Sequence, residues 1–202
     1  GARVLDLGCG DGALLEHLIR STGCDGHGVE ISSDGFHACI DRGVPVVQGD
    51  IDDGLGDFDS GSFDVVVLSQ TLQATRRPLF VVQEMMRLAP AAIVSFPNFG
   101  YWRIRVALAV HGRMPTSRLL PYTWHETPNI HLCTIRDFEE LVRVETLRVT
   151  ARIPLNVAGG RAPSRVDRRP NLLAAGAVYR LESTAGTHAA EPRETSAIRA
   201  RN

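Results

Sequence analysis

The chain has 202 residues, 44% of them hydrophobic and 22% charged, with a formal net charge of −1, which suits one globular domain with a full core. Near neutrality excludes a global attraction to nucleic acid or to an anionic membrane, and no apolar run approaches the roughly 18 residues of a membrane span. Lysine is absent, which removes Schiff-base chemistry, and Cys9, Cys24, Cys39 and Cys133 show neither C-x-x-C nor zinc-ligand spacing, so a reduced, cytoplasmic protein is expected.

The chain opens on Gly1 rather than Met, at the edge of its first strand, and further residues are expected upstream. Arg3 to Leu7 is a short apolar run that ends in a glycine turn and reads as a buried strand. Leu14/Leu18 and Leu15/Ile19 repeat at helical spacing before Gly23. A second strand is expected over His27–Ile31, then a helix capped by Ser32 or Ser33 and stopped by Gly43, then a third strand over Val44–Gln48. Residues 52–61 are acidic and turn-forming, Phe63–Leu68 is a continuous buried strand, and Pro78 opens a helix reaching Leu88. Ala91–Phe96 makes a fifth strand.

Past Pro97 the strand–helix rhythm breaks. An extra helix over Tyr101–Val110 and a loop running to residue 133 form a lid-like segment, about 100–133. Thr134 caps the next helix, with Asp137 in the capping-box position. Val144–Pro154 and Ala174–Leu181 read as two strands joined by an Arg/Gly/Pro loop in which Arg161, Arg165, Arg168 and Arg169 cluster, read as a solvated loop ahead of a docking site for an acidic partner. One domain is therefore expected over 1–182, with 183–202 a disordered tail. Strands alternating with helices of 10–15 residues make this an α/β fold with a parallel sheet covered on both faces.

The strongest chemical signal is Asp6-Leu7-Gly8-Cys9-Gly10-Asp11-Gly12 between the first strand and the first helix. Glycine lets a backbone turn tightly and approach a ligand closely, and the helix behind it offers free N–H groups. Dinucleotide-binding proteins use the related G-x-G-x-x-G, so an NAD site or an empty Rossmann domain is the alternative. Here the spacing is G-x-G-x-G after an acid, which resembles the first motif of class I S-adenosylmethionine (SAM) methyltransferases. Two more acids fit that pattern: Glu30 ends strand two, where a carboxylate can hold both ribose hydroxyls, and Asp50 ends strand three beside Ile51. The resemblance implies a Rossmann-like seven-stranded, mostly parallel sheet of order 3-2-1-4-5-7-6. It also implies that SAM or S-adenosylhomocysteine sits on Asp6, Gly8, Cys9, Gly10, Gly12, Glu30, Ile31, Asp50 and Ile51, with Ser69 and Gln70 beside the methionine portion. Asp64 reads as a strand-start acid facing solvent.

After strand four the chain carries Ser69-Gln70-Thr71-Leu72-Gln73 instead of (Asn/Asp)-Pro-Pro-(Tyr/Phe), and no Pro-Cys, which speaks against amino-group methylation of adenine or glutamine and against 5-cytosine chemistry. Val67–Gln73, Ser95–Trp102 and Leu120–His131, the last containing Thr-Pro-Asn-Ile-His, resemble the methionine-biosynthesis MetW family over residues 3–182. That resemblance implies a SAM-fold protein that acts with or regulates homoserine O-acyltransferase; an active methyltransferase on a small-molecule acceptor is the alternative. His125 and His131 are the weak candidates for a catalytic base. With Glu126 between them they match no common metal spacing, so no metal is expected. Tyr101, Trp102, Tyr122 and Trp124 are either pocket walls or lid packing.

Overall fold

A computed structural model describes residues 1–183, in which seven strands form a single sheet of order β3-β2-β1-β4-β5-β7-β6. β1 (Arg3–Leu7) lies third in that order, parallel to β2 (Asp25–Glu30) on one side and to the central β4 (Val65–Ser69) on the other. β3 (Val46–Gln48) and β5 (Ala91–Pro97) extend the parallel part, while β7 (Gly176–Ser183) inserts antiparallel between β5 and β6 (Leu147–Leu155). The chain thus winds from β1 outward to β3, then crosses back to β4. Such a reversal opens a crevice at the carboxyl ends of β1 and β4, where open α/β sheets bind ligands.

Side-chain alternation along the strands decides what covers each face. Leu5, Leu7, Val66, Leu68, Val94 and Phe96 share one core with α3 (Pro78–Leu88) and α5 (Ile135–Val144). Val4 and Val67, one residue out of phase, share a smaller core with Leu15 of α1 (Ala13–Thr22) and Cys39 of α2 (Ser33–Asp41). The larger core centres on Tyr179, whose ring lies 4.8 Å from Phe138 and 5.9 Å from Phe96, while its hydroxyl donates to Glu139 at 2.8 Å. On the other face, α1 sits close because β2 carries glycines: a Cβ at Gly26 would come within 2.8 Å of Leu15, and one at Gly28 within 2.6 Å of Cys9 Sγ.

Several expected boundaries move for identifiable reasons. β2 begins two residues earlier than its apolar pattern, because the Asp25 N–H bonds the Ala2 carbonyl and starts the ladder there. β3 begins two residues later: the Val44 N–H is spent on the Cys39 carbonyl, closing α2, and Pro45 has no N–H. Ser32, not Ser33, caps α2. Val144 ends α5 rather than starting β6, because the chain first turns through Thr146 at φ 54°. The capping box of Thr134 and Asp137 forms as the sequence implies. The arginine-rich stretch is not a plain loop: Ser164–Arg168 makes a 3-10 turn with Val166 buried, and its arginines are exposed. α4 (Trp102–His111) follows β5, and 112–133 has neither helix nor strand. Ser183 ends β7, and the rest of the tail proposed from it lies outside the described residues. Among the described residues no helix is long and apolar enough to cross a membrane.

Asn98, fully buried just past β5, joins these late elements. Its amide donates to the carbonyls of Asn171 (3.1 Å) and Ala174 (2.8 Å), and its oxygen accepts from the N–H of Gly100 (2.9 Å) and Ile135 (3.3 Å). Removing it leaves four backbone groups without this partner, three of them in buried hydrogen bonds. Asn98→Ala is expected to lower the unfolding free energy by about 3 kcal/mol in urea titration; a loss below about 0.5 kcal/mol would show that the junction does not depend on this side chain.

Candidate cofactor-binding site

The glycine turn is built by backbone conformation before any ligand is considered. Gly8, Gly10 and Gly12 have φ of 67°, 59° and 76°, a region that side-chain-bearing residues enter at a cost. Their surroundings differ. A Cβ on Gly8 would strike Thr71 at 2.6 Å and one on Gly12 would strike Cys39 Sγ at 2.9 Å, whereas at Gly10 nothing lies within 4 Å. Gly10 therefore faces open space, while its neighbours are pressed onto the body.

Glu30 holds the turn in place. One carboxylate oxygen accepts from Gly10 N–H at 2.7 Å and the other from Ser32 N–H at 2.8 Å, so a single buried acid ties the β1–α1 turn to the β2–α2 turn. The turn spends its other N–H groups internally: Gly8 and Cys9 both donate to the Val29 carbonyl, Gly12 to the Cys9 carbonyl, and Ala13 to Asp11. The free donors expected at the head of α1 are thus already engaged at Gly8, Cys9, Gly10, Gly12 and Ala13. Cys9 Sγ is buried, 3.7 Å from Cys39 Sγ.

Asp6, at the penultimate position of β1, is buried with Oδ1 lacking any partner. Burial first, and then the nearby negative charge of Glu30, push its carboxyl up to about 7. A buried, unpartnered carboxylate oxygen beside a second acid suits a cationic or donor group on a ligand.

A cleft of about 390 Å³ opens beside the turn, lined among others by Gly8, Ile31, Asp50, Ile51, Thr71 and Arg76. The structure therefore brings Gly8, Ile31, Asp50 and Ile51 to one cavity, whereas Asp6, Gly10, Glu30, Ser69 and Gln70 are not among the residues that line it. Asp50 is not free: Oδ2 accepts from Arg76 at 2.7 Å and Oδ1 from the Asp52 N–H at 2.9 Å. Asp52 in turn accepts the N–H of both Arg76 and Arg77 at 2.8 Å, fixing that segment over the acids and holding its own carboxyl below the usual range.

At the end of β4, Ser69 Oγ lies 3.2 Å from Ser95 Oγ, and Gln70 donates to Ser95 from both its backbone and its side chain at 3.1 Å. Gln70 adopts φ 56°, a strained value for a residue with a side chain. Asp64 stands at the other end of β4, half-exposed and paired with Arg3 at 3.1 Å.

His125 and His131 do not meet, and neither lines the cleft. His125 borders a hollow with Arg113 and Trp124, and His131 borders another with Pro78 and Phe138. Among the described residues no group of three or more metal-ligating side chains is gathered. The residue between them that does reach the cleft is Ile130. Its N–H and that of His131 both donate to the Gln73 carbonyl, at 2.8 and 3.0 Å. Ile130 also borders a separate hollow of about 280 Å³ with Phe99, Met114, Tyr122 and Trp124. Arg76, Thr71 and Ile130 were not identified from the sequence. Ile130 and Thr71 carried a signal only as members of the family-like segments Leu120–His131 and Val67–Gln73, and Arg76 carried none.

Asp6 gives a pH-dependent prediction for the ligand-free protein. Its folded value lies above its unfolded one, so folding binds a proton, and stability falls as pH rises from about 4 through about 7 and levels off above that. Asp6→Asn removes the term. The variant should gain on the wild type across that window, reaching at most about 4 kcal/mol at pH 8, as read from urea midpoints; parallel pH profiles would show that Asp6 does not titrate there.

Three kinds of similarity bear on this arrangement. The family model described as methionine biosynthesis protein MetW matches residues 1–181. The chain is 35% identical over 187 residues to the bifunctional methionine biosynthesis protein MetXA/MetW of Rhodopirellula baltica, covering 88% of this chain and 30% of that one. It is 31% identical over 132 residues to a ubiquinone biosynthesis O-methyltransferase of Methylococcus capsulatus, covering 62% of this chain and 55% of the relative. The chain thus spans about half or less of the curated relatives it matches. A SAM-dependent methyltransferase from Archaeoglobus fulgidus superposes with a TM-score of 0.63 at 15% identity, over 90% of this chain and 86% of that one, which establishes the Rossmann-like methyltransferase fold. With a match that runs through the glycine turn, the cleft and the Thr-Pro-Asn-Ile-His segment to the last strand, the chain belongs to the methionine biosynthesis MetW family.

Proposed function

We propose that this protein binds SAM or S-adenosylhomocysteine in the cleft beside the glycine turn and acts with, or regulates, a homoserine O-acyltransferase. Asp6 Oδ1, buried and without a partner, is the observation that carries the binding reading. The ligand's ammonium would meet this oxygen, its ribose would meet Glu30, and its adenine would lie between Ile31 and Ile51 near Asp50. Cys9 and Gly12 serve by shaping the turn, and Ser69 and Gln70 border the methionine end. When bound, SAM supplies a methyl group on a positively charged sulfur. The chain's own residues orient and desolvate that ligand.

Support for the partnership comes from the bifunctional relative, in which a MetXA name and a MetW name belong to one polypeptide. A regulatory role asks only that the cleft hold its ligand, and neither His125 nor His131 lines it. A second reading, methylation of a small uncharged acceptor, is favoured by the hollow of about 280 Å³ that shares Ile130 with the cleft.

Two measurements test these readings. Glu30→Ala releases Gly10 and Ser32 and should weaken SAM binding at least tenfold in calorimetry, about 1.4 kcal/mol; unchanged affinity would remove the cofactor reading. Co-elution with a MetXA-type homoserine acyltransferase, together with a change in its rate, is expected with the wild type. Independent migration and no rate effect, alongside S-adenosylhomocysteine release on a metabolite panel, would favour the methyltransferase.

A further inference from the structure

α4 has apolar residues all around it and almost no core to bury them in. Trp102, Val106 and Val110 follow at four-residue spacing along one face, and Ile104 and Leu108 along the opposite one. Of these five only Ile104 is buried. Leu108, one turn further on the same face, is already 45% exposed and Val110 is 70% exposed, so the helix leaves the body as it runs. A helix apolar on every side is ordinarily enclosed. The exposed surface continues past the helix end: Met114 and Trp124 border one hollow with Gly112 and Arg113, and both also border the hollow shared with Tyr122 and Ile130. Trp124 is 77% exposed, the largest exposed aromatic of the lid.

The charge around this face is mainly positive, with the exposed Glu126, which accepts from Thr123 at 2.7 Å, at its edge. Between Glu84 and Glu126 the sequence contains no acidic residue, whereas Arg103, Arg105, Arg113 and Arg118 fall within that interval. All four are exposed, and among the described residues none forms an ion pair; Arg103 lies over the Trp102 ring at 5.5 Å, and Arg105 donates to the Gly100 carbonyl. Contiguous exposed apolar surface with aromatic and arginine side chains is the composition of a protein interface.

We infer that the α4–lid face, from Trp102 to Trp124, is the docking surface for the acyltransferase partner, and that it takes an apolar patch of that enzyme rimmed by carboxylates. The inference rests on the partnership proposed above, and the bifunctional relative, which joins the two modules in one chain, selects this occupant. An anionic lipid surface shares the charge and apolar character but fits the shape less well. Helices that lie in a membrane interface segregate polar and apolar faces, and α4 does not. The concave hollow between Met114, Tyr122 and Trp124 fits an inserted side chain better than a flat boundary.

The test titrates the full chain against a purified MetXA-type homoserine acyltransferase, comparing wild type with Val110→Glu, Trp124→Glu and Arg113→Glu. Each apolar-to-acid variant should weaken the complex tenfold or more and the charge reversal at least threefold, with melting temperature and SAM affinity unchanged. Arg168→Glu, on the β6–β7 connection, should bind as the wild type does. If the wild type binds and all variants bind equally, the surface is wrong and the partnership stands. If the wild type fails to bind, both fall. Wild-type capture by vesicles of anionic phospholipid that Val110→Glu abolishes, or a wild-type dimer that it splits, would overturn the assignment in favour of a membrane or a second copy.

Discussion

The geometry of the site depends on one carboxylate. Glu30 receives the N–H of Gly10 with one oxygen and that of Ser32 with the other, so the two loops that leave β1 and β2 at the sheet crevice are locked to each other. Charged acceptors of backbone N–H groups make strong hydrogen bonds, the more so where water is excluded. The same charge works against Asp6 on the neighbouring strand, which is buried and lacks a partner for Oδ1. Both oxygens of Glu30 already accept backbone N–H groups, whereas Asp6 Oδ1 is buried without a partner, and it is on that difference that the proposed binding of a cationic group rests.

The smaller core beneath the turn makes this possible. β2 is Asp-Gly-His-Gly-Val-Glu, and its two glycines let Leu15, Ile19 and Cys9 press against the strand where a Cβ would collide. Close approach of α1 brings Gly12 onto Cys39, and Cys39 Sγ donates to the Gly10 carbonyl at 3.3 Å. The turn is thereby held from below by packing and from the side by Glu30. The N–H groups of Gly8, Cys9, Gly10 and Gly12 are engaged in that construction, so these positions offer a ligand space and shape more than donors. This differs from phosphate-binding loops, whose open N–H groups are the recognition element.

The fold was legible because its signals are local and repeated. Short apolar runs ending in Gly or Asp, Pro78 at a helix start and the Thr134–Asp137 box each have a near-neighbour cause. Boundaries failed where a distant partner decided them: Asp25 entered β2 through Ala2, and Val44 left β3 through Cys39. The acids of the cleft were legible as strand-terminal residues. Arg76 was not, because its place over Asp50 and Asp52 follows from a turn after β4 that brings residues 24 to 26 positions apart together. The placement of the histidines was illegible for a related reason. Spacing along a loop says little about which hollow each side chain borders, and His131 turns to Pro78 and Phe138 while its neighbour Ile130 reaches the cleft.

Ile130 also joins the crevice beside the glycine turn to the segment 112–133. Gln73 donates its side-chain amide to the Gln70 carbonyl at 2.5 Å, and its own carbonyl receives Ile130 and His131. Gln70 is strained at φ 56° and fastened to Ser95 at the end of β5. A ligand filling the cleft therefore contacts a residue suspended from the same short turn that closes β4, and that residue forms the shared wall of the aromatic hollow. Rigid connection alone does not couple two sites; coupling requires an element with two arrangements that both sites bias. The segment 112–133, with no helix or strand and few buried side chains, is the part of the fold least bound to one arrangement, and Ile130 sits where it touches the cleft. If occupancy of the cleft is to be sensed by a partner, this is where the difference in contacts must arise, since the glycine turn itself is fixed on every side but one.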